Sequence, residues 1–177
     1  MRPILPLACL ALALAAPVAA NSPPPDNPAI DYPGYTRLVT GLGEVRSRHR
    51  LAWEEFARRA RAEGALLLDA RSERAFSAGH LEGAVNLPFT DFTAEALRAV
   101  IGDDPDRPIY IYCNNNFTND RAPVRMKAAP LSLNVQTFVN LHGYGYRNVW
   151  ELADRIDFAD PRYGWVSAAT QSGAAPG

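Results

Sequence analysis

Few residues of this 177-residue chain combine a reactive type with a setting that could use it, and the first is a thiol. Cys113 closes the run PIYIYC and opens onto Asn114, Asn115 and Asn116. A cysteine at the end of a buried strand, followed by a turn and later by a helix N-terminus, can be met by converging backbone N–H groups and a partial positive charge. A thiol there is expected to ionise below the reference value of about 8.5 and to attack sulfur or phosphorus as the thiolate. Asparagine tolerates positive φ, so the three asparagines are expected to shape that turn. Arg121 and Arg125, with Lys127, follow in the same loop and could attract an anion and depress the thiol pKa, although solvated loop cations are the commoner case. Asn114, Asn115, Asn116, Arg121 and Arg125 are therefore the candidate substrate-binding residues around a catalytic Cys113.

The compartment decides how much that thiol means. The N-terminus, MRPILPLACLALALAAPVAA, has one cation, an apolar run and a small-residue end, the profile of a secretory signal over residues 1–20. The run is too short for a membrane span of roughly 20 apolar residues. Cys9 invites a lipoprotein reading, but Pro6 stands where such signals carry leucine. Cleavage after Ala20 removes Cys9 and leaves Cys113 without an intramolecular disulfide partner. It also removes Arg2, so 17 Lys+Arg face 19 Asp+Glu for a net charge of −2. That balance points to neither nucleic acid nor an anionic membrane. The expected location is exported, in the periplasm. His49, His80 and His142 are scattered and, with one cysteine, give no metal-ligand spacing, so no cofactor is expected. Asn116–Thr118 matches a glycosylation acceptor, which a bacterial source would make a coincidence.

The elements that must hold the thiol follow from periodicity. Residues 21–35 are rich in proline and read as a tether, and YTRLVTGLGEVRSRH (35–49) reads as one or two short strands around Gly41 and Gly43. Trp53, Phe56, Ala57 and Ala60 at i, i+3, i+4 and i+7 predict an amphipathic helix. ALLLDAR then predicts a strand buried on both faces and closing on Asp69. GAVNLPF predicts a second strand, and DFTAEALRAVIG a helix capped by Asp91 or Thr93 and stopped at Gly102. IYIYC is a third strand, and Asn114 to Leu131 is irregular. SLNVQTFVNLHG is a helix with Ser132 as cap, RNVWEL is a fourth strand, and residues 166–177 read as a disordered tail. Strands alternating with helices imply an α/β domain over 36–165 with a parallel sheet. In such sheets ligands bind beyond the carboxyl ends of the strands, where Asp69 and Cys113 both sit.

LLLDARSERAFSAGHLEGAVNLP (66–88) resembles the signature of rhodanese-like domains, through Asp69, Arg71, Phe76, Gly79, His80, Gly83, Ala84, Asn86 and Pro88. IYIYC falls where that family places its catalytic cysteine, and LHGYGYRNVWEL is similar to the segment entering its last strand. The resemblance implies a three-layer fold, a central mostly parallel sheet of about five strands with helices on both faces. It implies a cysteine that cycles through a persulfide, loaded by a small anionic sulfur donor such as thiosulfate and unloaded by a thiol acceptor, without cofactor. Asp69, Arg71 and His80 are implied to be structural. The chain departs from the family in the segment FTNDRAPVRMKAAPL (117–131), which enlarges the loop after Cys113. Two other readings stay open. One is a non-catalytic or redox-sensing module that binds a protein partner. The other is a phosphatase or arsenate-reductase-like enzyme, which needs an arginine six positions after the cysteine, where this chain has Asn119.

Overall fold

Two four-residue strands made almost wholly of large side chains lie at the centre of the molecule. The computed structural model describes residues 27–167. The expected signal (1–20), most of the proline-rich segment and the tail beyond Ser167 lie outside the described residues. In chain order the elements are α1 (Tyr32–Arg48), β1 (Arg50–Leu51), α2 (Trp53–Ala60), β2 (Leu66–Asp69), α3 (Glu73–Ala78), β3 (His80–Leu81), β4 (Val85–Asn86), α4 (Ala94–Ile101), β5 (Ile109–Tyr112), α5 (Leu133–Gly143), β6 (Val149–Leu152) and β7 (Trp165–Val166). Five strands form one parallel sheet in the order β1-β6-β5-β2-β4.

The residues of β2 and β5 divide between two cores, because successive side chains on a strand point to opposite faces. Leu66, Leu68, Ile109 and Ile111 meet Leu97 and Ile101 of α4 and Phe138 and Leu141 of α5, with Leu42 and Val45 of α1 against them. Leu67, Tyr110 and Tyr112 face the other way, onto Trp53, Phe56 and Ala57 of α2 and onto Phe117 and Val124. Burial on both faces is what makes these strands read as continuous apolar runs. The expected three-layer α/β fold is thus the one observed.

Three local expectations are corrected. Of residues 35–49, expected as strands, 35–48 belong to α1, which also takes in the end of the expected tether. Leu38, Leu42 and Val45 recur at helical spacing and form one stripe, while Gly41 and Gly43 lie on the exposed side. A helix accepts a surface glycine at a cost of about 1 kcal/mol. Val166, assigned to the tail, pairs in β7 antiparallel to β3. A short helix not expected from the sequence, α3, begins at Ser72, whose side chain accepts the Ala75 N–H. Of the two candidate caps of α4, Thr93 is the one used, accepting from Ala96 N–H at 3.1 Å. Ser132 does precede α5, but its hydroxyl makes no capping bond.

Candidate active site

The carboxyl ends of β2 and β5 are neighbours, with Asp69 in register with Tyr112. At the β2 end the Asp69 carboxylate and the Arg71 guanidinium form a fully buried pair, Nη2 to Oδ2 at 2.6 Å and Nε to Oδ1 at 2.9 Å. A buried pair holds only when its remaining lone pairs and protons are met. Here they are. Arg71 Nη2 also donates to Gly79 O, and Tyr112 donates its hydroxyl proton to Asp69 Oδ2 at 2.6 Å. The same Tyr112 oxygen accepts the Leu81 N–H. Burial pushes the Tyr112 phenol well above its ordinary pKa and keeps it a donor.

The rest of the motif closes this network. Asn86 donates from Nδ2 to both Asp69 O and Arg71 O, fixing the turn after β2. A Cβ at Gly79 would lie 2.5 Å from Nε1 of Trp165, so only glycine admits the indole there. His80 stacks on Phe76 with ring centroids 3.7 Å apart and bonds Phe76 O through Nδ1. Asp69, Arg71 and His80 thus hold the motif together through contacts to one another's surroundings.

At the β5 end Cys113 is only 1% exposed. The backbone amides of Asn134, Asn115 and Leu133 lie close enough to its sulfur to favour the thiolate. Asn115 belongs to the turn directly after the strand, whereas Leu133 and Asn134 open α5. The cradle is therefore assembled from two segments, one on each side of the enlarged loop. Its net effect corrects the expectation of an easily ionised thiol. Burial pushes the Cys113 pKa up, the three amides oppose that rise, and the Glu151 carboxylate adds to it. Glu151 is itself buried in β6, where Arg46 of α1 grips both its oxygens.

The three asparagines work through their side chains. They occupy a tight turn of 3-10 helix, and Asp120 is the one non-glycine residue with positive φ among the described residues. Asn116 uses its whole amide. Oδ1 accepts Cys113 N–H at 2.9 Å and Asn134 Nδ2 at 3.0 Å, while Nδ2 donates to Leu152 O at 2.8 Å and Asp154 O at 3.1 Å. One side chain so ties the ends of β5 and β6 to the start of α5. Asn114 donates to Arg125 O, and Asn115 both donates to Lys127 O and accepts Lys127 N–H.

Between these ties residues 117–131 make an excursion with its own anchors. Phe117 and Val124 are fully buried, and Phe117 meets Tyr112 and Trp165 edge-on. Phe117 also bridges to Ile156, and Thr118 N–H donates to Ile156 O. The cations of the excursion do not converge on the thiol. Arg121 lies over the Phe158 ring at 5.2 Å, Arg125 is exposed, and neither figures with Lys127 among the principal influences on the sulfur. Asn119 is held by Asp157 and Phe158. Of the expected substrate-binding set, Asn115 has its amide near the thiol, Asn116 holds the Cys113 N–H and Asn114 lines the neighbouring cleft, while Arg121 and Arg125 are engaged elsewhere or exposed.

Over the three strand ends opens a cleft of about 270 Å³. Ala70, Arg71 and Ser72 line it from β2, Pro88 and Phe89 from β4, and Asn114, Lys127 and Leu133 from the β5 side. Leu133 thus lines the cleft with its side and offers its amide to the sulfur. Sequence reasoning missed the amides of Leu133 and Asn134, since backbone donors carry no residue identity. It also missed Tyr112, Asn86 as a turn clamp, and Glu151, whose lone acid inside the run VWEL was the available signal.

The chain is similar to the rhodanese-like domain of an Anabaena sp. protein in its solution structure, at 18% identity over 73% of this chain and 85% of that one, with a TM-score of 0.47. It is also similar to a polysulfide-sulfur transferase homodimer from Wolinella succinogenes, at 14% identity over 73% of this chain and 89% of that one, with a TM-score of 0.43. No curated protein matches it by sequence. The family model described as rhodanese-like domain matches residues 52–154, from the residue before α2 to just past β6. By that match over more than half its length, the chain belongs to the rhodanese-like domain family.

Proposed function

We propose that this chain is a sulfurtransferase or persulfide carrier that moves sulfane sulfur through Cys113. The observation that carries the reading is a thiol at the end of a central strand, next to the start of α5, whose neighbours Asn114 and Leu133 line a cleft over the strand ends. Preorganised N–H groups favour an anion placed among them at no cost of reorganisation. The Cys113 thiolate attacks the outer sulfur of a donor such as thiosulfate. The donor's S–S bond breaks, sulfite leaves with the electron pair, and the enzyme holds Cys–S–S⁻. A thiolate acceptor then attacks that outer sulfur, the new S–S bond breaks, and its electrons return to Cys113 as thiolate. Persulfidation is a reversible state of reactive thiols. The chain's residues supply burial and hydrogen bonds, and the reading requires no metal or organic cofactor.

The test is direct. Incubation with thiosulfate adds the mass of one sulfur atom to the intact protein, and Cys113→Ser abolishes the addition. No added mass after prior reduction of the protein defeats the reading. The burial of Cys113 and its raised pKa favour a second one, a non-catalytic or redox-sensing module that binds a partner protein. Resistance of Cys113 to alkylation in the folded protein decides for that module. Export to the periplasm belongs to the proposal as well, supported by the character of residues 1–20. Intact mass of the protein from the periplasmic fraction then starts at Asn21, and a product retaining Met1 rules export by this signal out.

A further inference from the structure

The excursion after Cys113 brings one cation into the cleft. Lys127 lines it, with its backbone clamped on both sides by the Asn115 amide at 2.7 and 3.0 Å. The only other cation in the lining, Arg71, is neutralised by Asp69. No Asp or Glu is among the lining residues, and Lys127 has no carboxylate partner among the described residues. Apolar surface is also present in the lining, from Pro88 and Phe89 on the β4 side and from Leu133 beside Lys127. Gln136 also lines the cleft. One of its Nε2 protons goes to Leu131 O, which leaves its amide oxygen and the second N–H available to a ligand.

An inorganic sulfur anion uses the charge of Lys127 but neither the apolar surface nor an amide acceptor. At about 270 Å³ the cleft is near the small end of ligand pockets, which begin at roughly 300 Å³. A small organic molecule with one anionic end, a short apolar body and an N–H fits all three features. Resting on the sulfur-transfer reading, we infer that the cleft selects a small carboxylate-bearing thiol as the sulfur acceptor, with Lys127 meeting its carboxylate. The acceptor enters over Phe89 and Leu133, its thiolate directed at the outer sulfur on Cys113. Attack forms the acceptor persulfide and returns the electron pair to the Cys113 sulfur, where the amides of Asn115, Leu133 and Asn134 receive the charge.

The experiment compares matched reagents that differ in the carboxylate. Protein persulfidated with thiosulfate and freed of it is offered 3-mercaptopropionate or neutral 2-mercaptoethanol, and loss of the extra sulfur is followed by intact mass. Lys127→Ala lowers the ratio of the two rates by up to about fivefold, the upper worth of an exposed ion pair, and Lys127→Glu lowers it further. A ratio that neither variant changes overturns the inference. A second arm needs no persulfide. Alkylation of Cys113 by iodoacetate relative to iodoacetamide falls by a similar factor in Lys127→Ala. If thiosulfate adds no sulfur while this second ratio still depends on Lys127, the carboxylate site stands and sulfur transfer falls. If sulfur is added and both ratios ignore Lys127, sulfur transfer stands and the carboxylate site falls. If neither alkylating reagent reaches Cys113, the cleft is not an access path and the inference fails.

Discussion

The two strand ends that meet at the site are built on opposite principles. At the end of β2 a carboxylate and a guanidinium saturate one another, and Tyr112, Gly79 and Asn86 absorb what remains. At the end of β5 a single titratable group sits among neutral N–H donors, with no guanidinium in contact and a buried carboxylate, Glu151, working against its ionisation. A saturated pair has nothing left to offer a ligand. A sulfur set among dipoles keeps N–H donors that can meet a negative charge, and these offset part of the cost that burial puts on the thiolate.

The largest test of this contrast is Arg71→Met, which strands a buried carboxylate. It is expected to cost about 3–5 kcal/mol in denaturant unfolding, and a loss within the range of surface substitutions breaks the comparison. Next comes Asn116→Ala, which orphans Cys113 N–H and two carbonyls and is expected to cost about 1–3 kcal/mol. Its signature is a fall in persulfide loading out of proportion to the stability lost, because the two halves of the cradle are no longer tied. Glu151→Gln acts on charge. Removing that carboxylate moves the midpoint of the pH–alkylation profile of Cys113 to lower pH, and an unmoved midpoint denies the coupling. The sign for the wild type follows from the raised folded pKa. The unfolded thiol ionises first, so the stability from this group is intact below the ordinary thiol pKa and is lost as pH rises through the raised value. Arg125→Ala should do least, staying within about 0.5 kcal/mol and leaving the thiol midpoint in place, as for an exposed loop side chain.

How far the sequence disclosed these two ends differs for the same physical reason. The β2 end is written in side chains close together in sequence, so Asp69, Arg71, His80 and Asn86 were visible as one motif. Cys113 was visible as a strand end. What received it was not, because two of its three amides come from Leu133 and Asn134, across an excursion whose return path no local pattern specifies. The asparagines were noticed for a backbone freedom they do not use, since their side-chain partners Arg125, Lys127, Leu152 and Asp154 are distant in sequence. In α1 the segment around Gly41 and Gly43 suggested short strands, and only packing against α5 reveals the helical stripe. Trp165 escaped notice because its reason for being there, the missing Cβ of Gly79, lies in another part of the chain.

Asn116 has a practical corollary. Since it fastens both bases of the excursion independently of the chain between them, that chain can change length cheaply, each doubling of a flexible loop adding only about 0.6 kcal/mol. The exposed junction of Ala128 and Ala129 is then a place to graft a foreign peptide or a fluorophore without rebuilding the domain.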